Sequence, residues 1–170
     1  MAGFRTDNVL ACSEATYWDK IFLDDEYNRR LFFDELHFTD WKVLENKDEG
    51  ELVKRTVKAS PHVGELPGAL KALIGDGVGY EERGTLVRQK NRYEAKAVPN
   101  RLGDKVTVTI TMVTTPVDDE RCRLVVEGSV TAKIFAVGAL LEQRMVSDLR
   151  RSYEKSAEFV NRFANEKGLK

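Results

Sequence analysis

Cysteine, histidine and proline are scarce, with two, two and four copies in 170 residues, and each scarcity narrows what the chain can do. A metal site needs a cluster of ligands, and His37 and His62 are too far apart in sequence to make one. Cys12 and Cys122 have neither zinc nor redox spacing and read as reduced, half-buried strand residues. No Gly-rich phosphate loop and no Gly-x-Ser-x-Gly elbow occurs. Neither a metal nor any other cofactor is therefore expected.

Long apolar runs are also missing. None approaches the roughly 18 residues of a membrane span, and the first residues lack a secretory apolar core. The expectation is a soluble, cytoplasmic protein. Charge of one sign is absent too: 27 basic and 28 acidic side chains leave a net charge of -1, so there is no general electrostatic reason to bind nucleic acid. The aromatic residues Trp18, Phe22, Tyr27, Phe32, Phe33 and Trp41 lack the interleaved basic residues of a base-stacking platform. A nucleic-acid partner is not expected.

What the chain does contain is periodicity. At this length it reads as one domain with room for a core. Asp7 to Cys12 is a short apolar run ending at Ser13, a good helix N-cap, so strand then helix is the expected order. Tyr17, Trp18, Ile21 and Phe22 have helical spacing. Asp24 or Asp25 can cap a second segment carrying Tyr27, Leu31, Phe32 and Leu36. From Thr39 the period changes to two, with a turn expected at Asn46 to Gly50. Glu51 to Ser60 then places Val53, Arg55, Val57 and Ala59 on one face. Arg55 is the misfit on that apolar side.

Pro61 to Asp76 interrupts the alternation with glycines around Leu66, Leu70, Leu73 and Ile74, a short helical piece that is either a core plug or a hinged lid. Val78 to Arg88 and Arg92 to Val98 read as a hairpin. Two longer strands follow, one carrying Val106, Val108, Ile110 and Met112, the other Leu124, Val126, Gly128, Val130, Ala132 and Ile134, with a turn at Thr115 to Glu120 between them. Consecutive strands with short turns make an antiparallel meander with one covered face. That face holds Gly84, Ala95, Ala97, Gly128 and Ala132, whose small size implies either close packing of a covering helix or space for a guest.

The cover comes last. After a break at Gly138, Leu141, Met145, Val146, Leu149, Tyr153, Ala157, Phe159, Val160, Phe163 and Ala164 fall in one arc of a helix over Leu140 to Ala164. At 1.5 Å per residue such a helix is about 37 Å long, enough to cross a sheet. Glu142, Ser152 and Ser156 interrupt the arc. Glu142 is either a first-turn residue reaching solvent, favoured by the helix N-terminus, or a polar group facing a partly wet cavity.

Two stretches carry a likeness to a known family. Val126 to Glu142, with Gly138 between strand and helix, looks like the strand-to-helix junction of uncharacterised bacterial START-like families and of VASt and PRELI lipid-transfer domains. Val53 to Pro61 is similar to the Arg-containing strand of VASt domains. Together with the element order, this resembles the START-like, Bet v 1-containing superfamily over nearly the whole chain.

The resemblance implies an α+β helix-grip fold: a curved antiparallel sheet of six or seven strands wrapped around the terminal helix, with two short helices after the first strand. It also implies a hydrophobic small-molecule ligand, such as a lipid or sterol, held between sheet and helix, with at most transient membrane contact. Cavity walls are then expected from Val57, Tyr93, Val108, Ile110, Met112, Val126, Val130, Leu141, Met145, Leu149 and Tyr153. Arg55 and Glu142 would meet the ligand's polar end or each other, and Leu66, Leu70 and Leu73 would form the lid. Two alternatives stand beside this one. One is an enzyme of the same fold, of cyclase or hydrolase type, drawing on Glu142, Tyr93, Tyr153 or His62. The other is a protein-interaction module with a filled core.

Overall fold

The computed structural model describes residues 1–170. Seven strands form one antiparallel sheet: β1 (Ala2–Leu10), β2 (Asp40–Asp48), β3 (Leu52–Ser60), β4 (Tyr80–Val87), β5 (Arg92–Pro99), β6 (Val106–Asp118) and β7 (Arg121–Ala132). Their order is β1-β7-β6-β5-β4-β3-β2. From β2 to β7 each strand pairs with its sequence neighbour. Only β1 is remote, its Ala2 lying opposite Val130.

Three strands extend beyond the bounds the sequence predicts, each because a partner strand supplies hydrogen bonds that local pattern cannot reveal, whereas β7 ends at Ala132 and leaves Ile134 outside it. β1 starts at Ala2 instead of Asp7, since β7 runs alongside it from the first residues, with Phe4 and Thr6 turned to the buried face. β2 continues through Asn46 to Asp48, opposite Arg55 to Val53. β6 continues through Thr115 to Asp118, with a bulge near Pro116.

Two short helical segments follow β1. In the first, α1, Ser13 caps Glu14–Thr16 by accepting from the Thr16 N–H, and the chain continues as a π-helix over Tyr17–Phe22. In the second, α2, Asp24 caps Asp25–Arg29 by accepting from the Tyr27 N–H at 2.8 Å, and a π-helix again follows, over Arg30–Glu35. Trp18 fixes α1 to the sheet, donating from Nε1 to Thr114 of β6 at 2.8 Å. α3 (Gly68–Ile74) lies between β3 and β4.

The terminal helix α4 spans Gly138–Lys167, longer than the apolar arc at both ends. It stops at Gly168 (φ 65°), where Leu169 N–H reaches back to the Ala164 carbonyl at 2.8 Å. α4 packs mainly on β1 and β7. Tyr27 stacks on Phe159 with ring centroids 5.4 Å apart, tying α2 to the far end of α4. At its near end Leu141 joins Leu70, Ile74 and Val106 in a small separate cluster.

The glycines of the inner face are filled from within. A Cβ on Gly84 would lie 1.9 Å from the Tyr93 hydroxyl oxygen, and one on Gly128 would lie 2.4 Å from the Phe4 ring. Each glycine is therefore a seat for a neighbouring strand's aromatic ring, a third outcome beside close helix packing and a guest. Cys12 and Cys122 are fully buried, not half-buried, and Cys12 lies just past the end of β1.

Candidate functional site

The middle of α4 stays in contact with β1, where Tyr153 stacks on Phe4 with ring centroids 5.8 Å apart, and leaves a space over the neighbouring strands. Leu141 and Val146 at one end and Ala157, Phe159, Val160 and Phe163 at the other are buried, whereas Met145, Leu149, Ser152, Tyr153 and Ser156 between them are only partly covered. Those five face a cavity of about 290 Å³ lined by 35 residues, 25 of them hydrophobic. β3 to β7 form its floor. The π-helical continuations of α1 and α2 contribute Tyr17, Phe22, Leu31 and Phe32 to a side wall, and Tyr27 joins them from α2. The loop after β3 contributes Pro61, His62, Val63 and Leu66.

Of the residues the sequence assigned to the site, Arg55, Tyr93, Val108, Ile110, Met112, Leu141, Met145, Leu149 and Tyr153 line this cavity. Val57, Val126 and Val130 are buried on the sheet but do not reach it. Glu142 lies elsewhere and is neither solvated nor in the cavity. It is 8% exposed, accepts from the Ala132 N–H at 2.8 Å, and pairs with the Met1 amine at 3.0 Å. Those two contacts, the backbone N–H first, hold its carboxyl below the ordinary value. Its work is to join α4 to the end of β7. Among the three leucines read as a lid, Leu66 faces the cavity, Leu70 is fully buried against Val106 and Leu141, and Leu73 packs beside it. Arg144 of α4 holds the loop before α3 by donating to the Glu65 carbonyl at 3.0 Å, and pairs with Asp148 at 2.8 Å.

Arg55 is the polar focus. It is 7% exposed, and its Nε and Nη1 are buried with no hydrogen-bond partner. Its guanidinium carbon sits 4.4 Å from the centre of the Phe22 ring and 5.4 Å from that of Tyr93. Burial opposes its charge, but the Tyr93 and Glu82 oxygens outweigh that, and its pKa stays above the usual value. Tyr93 donates to Glu82 Oε1 at 2.8 Å. Burial, and next the Glu82 charge, push the Tyr93 hydroxyl far up, so it remains a neutral donor. Tyr80 and Tyr153 are likewise raised, chiefly by burial.

Glu82 and Tyr80 went unnoticed in the sequence, although a signal was there. Gly84 lies on the inner face, and period two then places Glu82 and Tyr80 on the same face of β4. Ser152 and Ser156, the other interruptions of the helical arc, do face the cavity. The Ser156 hydroxyl donates to the Ser152 carbonyl at 2.7 Å.

An antiparallel sheet gripping one long terminal helix, with two short helices after the first strand, is the START-like helix-grip architecture. Solved structures agree on the fold. The Zhui aromatase/cyclase from Streptomyces sp. R1128 superposes with a TM-score of 0.69 at 12% identity, over 96% of this chain and 93% of that one. Norcoclaurine synthase from Thalictrum flavum, in complex with dopamine and hydroxybenzaldehyde, gives 0.63 at 14% identity, over 97% and 87%. A START superfamily protein from Mycobacterium smegmatis gives 0.58 at 12% identity, over 92% and 97%. Comparison with curated protein sequences gives no match. The family model described as "Protein of unknown function (DUF2505)" matches residues 11–163, and the chain belongs to that family. No helix is long and apolar enough to cross a membrane.

Proposed function

We propose that this protein binds a hydrophobic small molecule in the space between the sheet and the middle of α4. The observation that carries the reading is the cavity itself. A predominantly apolar space with a few converging polar groups is what a small-ligand site requires, and here the polar groups are Arg55, Glu82 and Tyr93. A filled interaction module would have no such void. The synthase whose structure holds dopamine and hydroxybenzaldehyde supports the reading by analogy of fold. Membrane contact enters it only as a brief step during ligand exchange.

The test is native mass spectrometry of gently purified protein, together with titration of a fluorescent apolar probe. A co-purified small mass, or saturable probe binding that Leu149→Trp abolishes, is expected. Apo protein alone with no probe binding refutes the reading.

One observation favours a second reading, catalysis on the bound molecule. Glu82 and Tyr93 form a carboxylate–phenol pair facing the cavity, positioned to exchange a proton with a substrate there. On that reading Glu82→Gln removes turnover of a compound that the variant still holds at saturating concentration. A bound-ligand structure with neither group near a reactive atom would dismiss it.

A further inference from the structure

Resting on the reading of the cavity as a small-molecule site, we infer that its ligand is a compact ring compound carrying one anionic acceptor, a carboxylate or phenolate, that docks on Arg55. A buried guanidinium is stable only when its donors find acceptors, yet Nε and Nη1 of Arg55 have none. The nearby carboxylate, Glu82, accepts from Tyr93 and reaches neither of these two donors. The Phe22 and Tyr93 rings lie beside the guanidinium, and the Tyr93 hydroxyl, the one polar group they bring to it, donates to Glu82 and reaches neither Nε nor Nη1. Arg55 lines the apolar space, and a guanidinium short of acceptors at its wall is complementary to an anionic oxygen on an apolar body.

The walls and the size define that body. Tyr17, Phe22, Tyr27, Phe38, Tyr80 and Tyr153 line the space, and such rings favour stacked or edge-on contact with another ring over a flexible chain. A volume of about 290 Å³ lies at the lower end of the roughly 300–1,000 Å³ of small-molecule pockets, too small for a two-chain lipid.

The experiment is isothermal titration of the full chain with 2-naphthoate, neutral 2-naphthamide and decanoate. These separate charge from ring and ring from chain. Naphthoate is expected to bind about tenfold or more tighter than naphthamide, the increment of a charge-assisted hydrogen bond, and tighter than decanoate. Arg55→Met should erase the preference for naphthoate while naphthamide still binds. Glu82→Gln, which removes the competing charge, should tighten naphthoate without help from any Arg55 variant. Equal binding of naphthoate and naphthamide by the unaltered protein overturns the anionic acceptor and leaves the cavity reading standing. Decanoate binding as tightly as naphthoate overturns the ring. Failure of all three ligands and of the apolar probe defeats the cavity reading, and this inference with it.

Discussion

Adding one methyl group at Gly84 tests how the site is built. In β4 the Cβ of Gly84→Ala would fall 1.9 Å from Tyr93 Oη, 2.1 Å from its Cζ and 2.5 Å from a ring carbon. The ring has to move. Its only free direction is into the cavity, because Tyr93 is 2% exposed and packs edge-on against Phe22, with ring centroids 4.9 Å apart. Movement breaks the hydrogen bond to Glu82 and lifts the ring from Arg55. Overpacking of this kind costs about 1–3 kcal/mol, whereas Gly→Ala in an unobstructed strand gains about 0.5–1 kcal/mol. In a Tyr93→Ala background the obstruction is gone, so the same substitution should become neutral or stabilising. Urea denaturation of the four proteins of this cycle should therefore give a coupling of about 2–3 kcal/mol. Probe binding to Gly84→Ala should weaken in parallel as the displaced ring occupies the cavity. A Gly84→Ala protein as stable as the parent, with coupling under about 0.5 kcal/mol, would show that Tyr93 does not rest over residue 84.

Four further outcomes follow from single contacts. Glu142→Ala strands the buried Ala132 N–H and should cost about 1–3 kcal/mol, with Glu142→Gln costing less because an acceptor remains, as denaturation would show. The Glu142 carboxyl is depressed in the fold, so its contribution is complete above its ordinary value of 4.5 and fades as pH falls through the lower folded value. Glu142→Gln should flatten the stability profile in that acid range and nowhere else. Thr6 is 5% exposed with an unpartnered hydroxyl, and Thr6→Val should be neutral or gain up to about 1 kcal/mol in the same assay. Leu70→Ala should cost about 2–5 kcal/mol if α3 is docked as described. A cost near zero would mean that the segment spends its time open.

The architecture was largely legible because each element carries its own period. The inward set Val53, Arg55, Val57 and Ala59 and the α4 arc from Leu141 to Ala164 both emerge as the alternation and the helical spacing require. The site was legible only in part, since facing inward and facing the cavity are different properties. Val57, Val126 and Val130 point to the buried side like Val108 and Ile110, but which of them reach the void depends on how α4 and the segments beside it lie over the sheet. No local pattern encodes that. Glu142 misled because its two partners, Ala132 and Met1, are brought to it by the fold. The π-helical windings were equally hidden. Tyr17, Trp18, Ile21 and Phe22 suit an α-turn as well, and the contacts of Phe22 with Tyr93 and of Trp18 with Thr114 that accompany the wider winding lie far away in sequence.

The lone remote strand pairing bears on how the molecule is made. Arg5 on β1 meets Glu127 on β7 at a sequence separation of 122, so during translation the first strand has no neighbour until the seventh has emerged. At ribosomal speeds of about 5–20 residues per second that is an interval of roughly 6–25 s, with Tyr17, Trp18 and Phe22 deprived of the helix and strands that later enclose them. The nascent chain in that window is a natural client for holding chaperones, and a ribosome stalled before residue 121 would carry a chain unable to complete its sheet.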